Sequence, residues 1–331
     1  MNERGQTMQA KVSARRIALK EKLQLFLPSL VASIVLIMIG QMIVPGFSSL
    51  NNISSILMTT GLLGIMTIAQ NTAIMSGNNG IDLSVGAIAS LTAVVCPMFV
   101  ANSVGELITA FVIAALIGLL IGSFNSLGIQ AMKIPPLIMT LIMGSVVDGA
   151  KLYVTRGQPA TSISAILQSV SNPIIQPFRV LTVCAIVMVI IAEIILNKSR
   201  FGKALLLTGD NPYAAAICGI NTRLVSAFAY AISGAMAGIM GLFLAGYAGA
   251  TTMSMGNSYT LLSVAAVAVG GTDLAGGKGS YISCLIGALV LTVLTTILQA
   301  LNAQEGVRLI IKGVILIVIM VVNVFSYRNK N

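Results

Sequence analysis

Residues 107–127, LITAFVIAALIGLLIGSFNSL, run for 21 positions without a charged side chain. Roughly 20 apolar residues in a helix cross a hydrocarbon core of about 30 Å, whereas a barrel strand needs about ten that alternate. This stretch is long and does not alternate, so it reads as a membrane-spanning helix. Leu23 to Val44, Ile53 to Met75, Val180 to Leu196, Val225 to Ala248, Ile282 to Leu301 and Val307 to Phe325 have the same character. Three weaker stretches, Val85 to Ala101, Leu137 to Val154 and Tyr259 to Val269, bring the total to about ten. The expected fold class is an all-α polytopic membrane protein of about ten transmembrane helices with both termini cytoplasmic.

Composition agrees. Of 331 residues, 56% are hydrophobic and 8% charged, against about 25% charged in a soluble domain. A soluble core cannot hide that much apolar surface, while a bilayer accepts helices that are apolar all round and satisfy their own backbone. The net charge of +10 would suit nucleic acid only if it gathered on one soluble face. Instead Arg4, Lys11, Arg15, Arg16, Lys20 and Lys22 precede the first span, and Lys133, Lys198, Arg200, Lys203, Arg223, Lys278, Arg328 and Lys330 fall in inner loops or the tail of a ten-span topology. That is the positive-inside pattern, which orients the chain and meets anionic headgroups of the lipid bilayer, with no nucleic-acid partner. The layout is a basic cytoplasmic segment 1–22, a transmembrane domain 23–327 with an inner loop 197–223 and an outer loop 155–179, and a cytoplasmic tail 328–331. The first hydrophobic run is longer than the core of a secretion signal and no A-x-A site follows it, so it is kept as a span.

The chemistry inventory excludes most enzymes. Nine Asp and Glu are present, but no His and no Trp; Ser-His-Asp, Cys-His and H-E-x-x-H arrangements all need histidine. Cys96, Cys184, Cys218 and Cys284 stand apart, without C-x-x-C spacing, so no metal site is expected. Gly276-Gly277-Lys278-Gly279-Ser280 resembles a phosphate loop only superficially, because Thr272 stands where the first glycine belongs and Gly279 follows the lysine. No catalytic residue and no cofactor are expected in this chain; any ATP consumed is bound and hydrolysed by another.

Ionisable residues inside spans are functional candidates by default. Asp148 and Lys151 lie one turn apart and are expected to pair. Glu193 lies near the inner boundary, where its side chain reaches headgroup level. The chain of buried carboxylates that a proton-coupled carrier needs is missing.

Small residues mark close helix approaches. Gly118 and Gly122 make one G-x-x-x-G pair, and Ser233, Ala237, Gly241, Ala245 and Gly249 form a stripe at four-residue intervals with Gly234 and Gly238 beside it. Two segments break the helical pattern with G-x-D-L, namely Gly80-Ile81-Asp82-Leu83-Ser84-Val85-Gly86 and Gly271-Thr272-Asp273-Leu274-Ala275-Gly276-Gly277. In one reading Asp82 or Ser84 caps the third helix and Asp273 caps a short turn. In the other, polar ends of discontinuous helices line a solute path at Asn71, Asn78, Asn79, Asp82 and Ser84.

The inner segment Asn197 to Arg223, NKSRFGKALLLTGDNPYAAAICGINTR, is the most polar. Gly209-Asp210-Asn211-Pro212 reads as a turn and helix start, with Asn211 as cap and Pro212 at the first helical position. Tyr213, Ala214, Ala215, Ala216 and Ile217 continue a short helix that ends near Gly219. Such a helix on the inner face suits docking to a partner.

Three ordered motifs resemble the ribose-type permeases of bacterial ABC importers, in the branched-chain amino acid and ribose permease superfamily. Gly80 to Gly86 is similar to their GIDLSVG signature. Ser199-Arg200-Phe201-Gly202, then Thr208-Gly209-Asp210-Asn211-Pro212-Tyr213-Ala214-Ala215 and Gly219-Ile220, resemble their coupling segment. Val264-Ala265-Ala266-Val267-Ala268-Val269-Gly270-Gly271-Thr272 with Gly276-Gly277-Lys278-Gly279 resembles their IAAVVIGGT…GGRG. The resemblance implies a bacterial inner-membrane permease subunit that forms half of a translocation path for a monosaccharide or related solute. Its implied partners are ABC ATPase subunits, an extracytoplasmic solute-binding protein and a second permease subunit, the same chain or a different one. Gly209, Asp210, Asn211, Pro212, Tyr213, Ala214, Ala215, Ala216 and Ile217 would then couple the chain to its ATPase. Two departures stand out: Asp210 replaces a common glycine, and Ser258 to Ser263 lacks the carboxylates of many relatives. An ion-coupled secondary carrier and a non-transporting membrane scaffold are the alternatives.

Overall fold

The computed structural model describes residues 27–100, 103–159 and 163–304, with 306–308, 310, 311, 313, 314 and 317 beyond them. Twelve α-helices are labelled here in chain order. The first five are α1 (Leu27–Ile43), α2 (Leu50–Met75), α3 (Val85–Val95), α4 (Val104–Gln130) and α5 (Pro136–Thr155). After the one-turn α6 (Ala165–Gln168) and a small hairpin come α7 (Val180–Lys198), α8 (Arg200–Asp210), α9 (Pro212–Ile217), α10 (Thr222–Ala248), α11 (Asn257–Val269) and α12 (Tyr281–Ala300).

Six of these, α2, α4, α5, α7, α10 and α12, are long and apolar enough to cross a membrane. α1, α11 and α3 with its 3₁₀ extension Cys96–Phe99 are apolar but shorter. The expected weak span Leu137 to Val154 is thus a full-length helix, whereas those at Val85 to Ala101 and Tyr259 to Val269 are short because each adjoins an irregular glycine-rich segment. The expected span Val307 to Phe325 lies mostly outside the described residues, and segments 1–22 and 328–331 lie wholly outside them.

α2 and α10 are the innermost spans, and α4 and α5 keep most of their surface outward. One core cluster joins Leu62, Ile65 and Met66 of α2, Val85, Ile88 and Ala89 of α3, and Ala237, Met240, Phe243 and Leu244 of α10. Phe111 of α4 packs a tilted ring on Phe243 at 4.7 Å between centroids. The small residues mark close approaches, as expected, and the structure shows which helices meet: Gly234 and Gly238 face α4, while Gly241 faces Ala89 and Thr92 of α3. A Cβ on Gly118 would overlap the carbonyl of Gly234, and one on Gly234 the carbonyl of Gly118; Gly122 lies against the Tyr230 carbonyl and Gly238 against that of Ala114. The α4–α10 seam is therefore backbone against backbone.

Within the loop 155–179, residues 163–179 form ordered elements. Strands β1 (Pro173–Ile175) and β2 (Phe178–Arg179) pair antiparallel. Arg179 Nε donates to Ser54 Oγ at 2.8 Å and its Nη1 to the Ser171 carbonyl at 2.8 Å, which pins the hairpin base to the start of α2. Asp148 and Lys151 pair as their spacing predicts, with Nζ 2.5 Å from Oδ1.

Candidate functional site

α2 ends at Met75, and the chain then reverses through Gly77, Asn78 and Asn79, all at positive φ (85°, 54° and 52°). Asparagine tolerates the left-handed region better than other residues with a Cβ. Both asparagines are exposed in this turn, away from the buried residues that follow. Asp82 is fully buried. Its Oδ1 accepts from the Ser84 hydroxyl at 2.6 Å and the Ser84 N–H at 3.0 Å, and its Oδ2 accepts from the Ser233 hydroxyl of α10 at 2.9 Å. Asn125 of α4 donates Nδ2 to Ser84 Oγ at 2.8 Å. With its amide oriented to satisfy both atoms, Gln70 of α2 donates to the Asp82 carbonyl at 2.9 Å and accepts from its N–H at 3.0 Å. Thr140 of α5 accepts from the Leu83 N–H at 3.0 Å and donates to the Ile81 carbonyl at 3.3 Å. The irregular segment 81–84 thereby finds in four helices the partners that lipid could not supply.

Ser84 is the cap residue of α3, but its side chain makes no capping bond; Asp82 takes its N–H instead. The N-terminus of α11 starts beside that of α3. The Ser90 hydroxyl lies 3.2 Å from Asn257 Oδ1 and accepts from the Gly256 N–H at 3.0 Å, and Gly86 has no room for a Cβ against Gly256 and Asn257. The start of α11, whose Asn257 is exposed, thus lies beside the first half of the buried α3, so two short helices begin close together, as in transporter sites built on broken helices.

Of the expected path residues, Asp82 and Ser84 come together, while Asn78 and Asn79 form the exposed turn. Asn71 is fully buried on α2, and neither amide atom has a hydrogen-bond partner; Tyr230 Oη and Asn125 Oδ1 are also buried and unpartnered. A buried polar group left so costs about 1–3 kcal/mol. Gln70, Asn125 and Tyr230 were not singled out by the sequence reading. The lone amide of Asn125 inside an uncharged span was the available signal.

The inner segment forms two helices. The Ser199 hydroxyl accepts from the Gly202 N–H at 2.9 Å and starts α8. Asn211 Oδ1 accepts from the Tyr213 and Ala214 N–H groups at 3.1 and 3.0 Å and starts α9, with Pro212 in its first turn. Gly219 at φ 81° ends α9, and Ile220 N–H closes on the Ala215 carbonyl at 3.1 Å. Ala215 is buried, whereas Tyr213 and Ile217, four residues apart on one face, are 84% and 88% exposed. Gly209 and Asp210 at the end of α8 lie against the C-terminal turn of α2 and against Gly277: a Cβ on Gly209 would overlap the Met75 carbonyl and the Gly277 N–H.

Glu193 corrects the sequence reading. Its side chain is not turned out to the lipid surface but is buried in the protein, because a buried helix N-terminus faces it. Its Oε2 accepts from the Tyr281 N–H at 2.8 Å and the Ser280 hydroxyl at 3.1 Å, and its Oε1 accepts from Asn197 Nδ2 at 2.9 Å.

A sequence profile described as "Branched-chain amino acid transport system / permease component" matches residues 52–320. The chain belongs to this permease family. This permease is 30% identical to the ribose import permease protein RbsC of Haemophilus influenzae over 294 residues, 88% of this chain and 90% of the relative. It is 30% identical to the probable ABC transporter permease protein YphD of Escherichia coli over 299 residues, 89% and 88% of the two chains. With the autoinducer 2 import system permease protein LsrC of Yersinia pseudotuberculosis it shares 28% over 275 residues, 83% and 78%. No solved structure matches it. The permease is a multi-pass protein of the bacterial inner membrane, as expected from its helices and its basic loops.

Proposed function

We propose that this permease forms half of the translocation path of an ATP-driven importer for a monosaccharide or a related small polyol-like solute. The observation that carries the reading is an exposed helix suited to docking in the same chain as buried, uncharged polar groups that have no partner among the described residues. Tyr213 and Ile217 project from α9 with none of the described residues over them, which suits insertion into a groove on a partner ATPase. Asn71, Asn125 and Tyr230 supply buried donors and acceptors without a charge, which suits neutral hydroxyls better than an ion. Asp82 is already engaged by three donors, so it serves as the knot that fixes α3 rather than as the main solute contact. An extracytoplasmic binding protein would do most of the selecting, leaving this centre weak enough to release its cargo. The second half of the path would come from another permease subunit.

The test is uptake of labelled pentoses and hexoses into proteoliposomes holding this permease with its co-purified partners, at fixed ATP, with and without an uncoupler. Uptake that needs internal ATP and survives the uncoupler is expected. Uptake abolished by the uncoupler at unchanged ATP would make the protein an ion-coupled carrier, and no uptake of any sugar would remove the substrate class.

A further inference from the structure

Glu193 lies five residues before α7 ends at Lys198, and only Ser199 separates α7 from α8. Its carboxylate holds the first turn of α12, through the Tyr281 N–H and the Ser280 hydroxyl, and a negative group at a helix N-terminus is stabilised by the helix dipole. Tyr281 has a second attachment: its hydroxyl lies 2.8 Å from Thr72 Oγ1 of α2. One residue of α12 is therefore tied by its backbone to α7 and by its side-chain tip to α2.

The far end of α8 is attached to the same two partners. Gly209 sits on the Met75 carbonyl at the end of α2 and on Gly277, Gly277 fits against the backbone of Asp210, and Gly276 against Gly77. The Gly277 N–H donates to that same Met75 carbonyl at 3.3 Å. No side chain separates these three strands of backbone, so none can yield by changing rotamer. The helix that precedes the docking helix is thus fastened at its end to the last turn of α2 and to the loop that leads into α12, and the helix before it, α7, is tied to the first turn of α12. One turn back along α2, Gln70 grips the backbone of Asp82.

We propose that Glu193 and Tyr281 are positioning residues of the transport cycle. They lock α7, α8, the start of α12 and the end of α2 into one rigid frame, and that frame carries displacement of α9 to the broken segment 80–84 and so to the start of α3. The inference rests on the importer reading. It assigns force transmission to a buried carboxylate and a tyrosine that touch neither the ATPase nor the solute.

The experiment uses the full complex in proteoliposomes and measures ATP hydrolysis, labelled D-ribose uptake, and amide hydrogen exchange of residues 78–86 with and without vanadate. Glu193→Ala removes the clamp, Glu193→Gln keeps an acceptor for the Tyr281 N–H, and Tyr281→Phe deletes only the contact to Thr72. Each variant is expected to assemble and hydrolyse ATP near the unsubstituted rate. Ribose moved per ATP should fall at least about fivefold in Glu193→Ala and Tyr281→Phe, less in Glu193→Gln, and the vanadate-dependent change at 78–86 should shrink with it. An unchanged ratio and unchanged exchange in both Glu193→Ala and Tyr281→Phe would overturn the proposal, as would losses of hydrolysis and uptake in equal proportion with falling yield, the mark of a purely structural role. An unsubstituted complex that hydrolyses no ATP would overturn the importer reading itself.

Discussion

The Ser233 hydroxyl of α10 donates to Asp82 Oδ2 at 2.9 Å across 151 residues of chain. With the two bonds from Ser84, it leaves the carboxylate fully engaged inside the bundle. Asp82→Ala strands three buried donors, and hydrogen bonds to charged groups are worth about 1.5–3 kcal/mol each. It should lower the melting temperature in detergent by many degrees and abolish uptake. Asp82→Asn keeps one acceptor for the Ser84 N–H, and the serine hydroxyls can turn, so it should lose less than half as much stability. Equal loss in both variants would mean that the shape of the side chain, and not its acceptors, holds the segment.

Asn71 should behave in the opposite way. Its amide is buried with no partner among the described residues, so Asn71→Ala removes an unsatisfied group and should leave the unfolding free energy unchanged or raise it by about 1–3 kcal/mol. Transport should suffer instead, as a rise in the half-saturating concentration or a fall in maximal uptake of several-fold. A variant that melts early and transports normally would place Asn71 in the scaffold.

The docking face of α9 is tested by Tyr213→Ala with Ile217→Ala. Both side chains are almost fully exposed, so the permease alone should melt as before. Retention of its ATPase in detergent should fall by about 2 kcal/mol or more, some thirtyfold in affinity, if the two fill a groove as interface anchors do. Co-purification at the normal ratio would move the contact elsewhere.

Lys151 and Asp148 give an asymmetric prediction. Lys151 is 3% exposed and Asp148 41%. Asp148→Asn leaves an ammonium buried without its counter-charge, whereas Lys151→Met leaves a carboxylate that water or headgroups can reach. The first should destabilise clearly more than the second, and Asp148→Leu with Lys151→Met should recover most of the loss, as followed by thermal unfolding.

What was legible in the sequence was local. The start of α9 follows from Asn211 and Pro212, whose capping chemistry acts within three residues, and glycines at four-residue intervals mark close-packing faces on α4 and α10, though not that these two helices meet. The pair Lys151 and Asp148 follows from helix spacing. The knot at Asp82 was not legible in full, because Gln70, Asn125 and Ser233 reach it from helices whose mutual placement no single span encodes. Glu193 was misread for a related reason. Distance along α7 gives its depth, but not that the first turn of α12 would stand opposite with free N–H groups.

The α4–α10 seam has a consequence for motion. Helices that interlock by side-chain ridges can give a little as rotamers change, but Gly118 against Gly234 and Gly122 against Tyr230 set carbonyls directly on the facing backbone, and the Phe111 ring packs on Phe243 across the same pair of helices. Such a joint is a weld and not a hinge: α4 and α10 should travel as one body whenever the bundle changes shape.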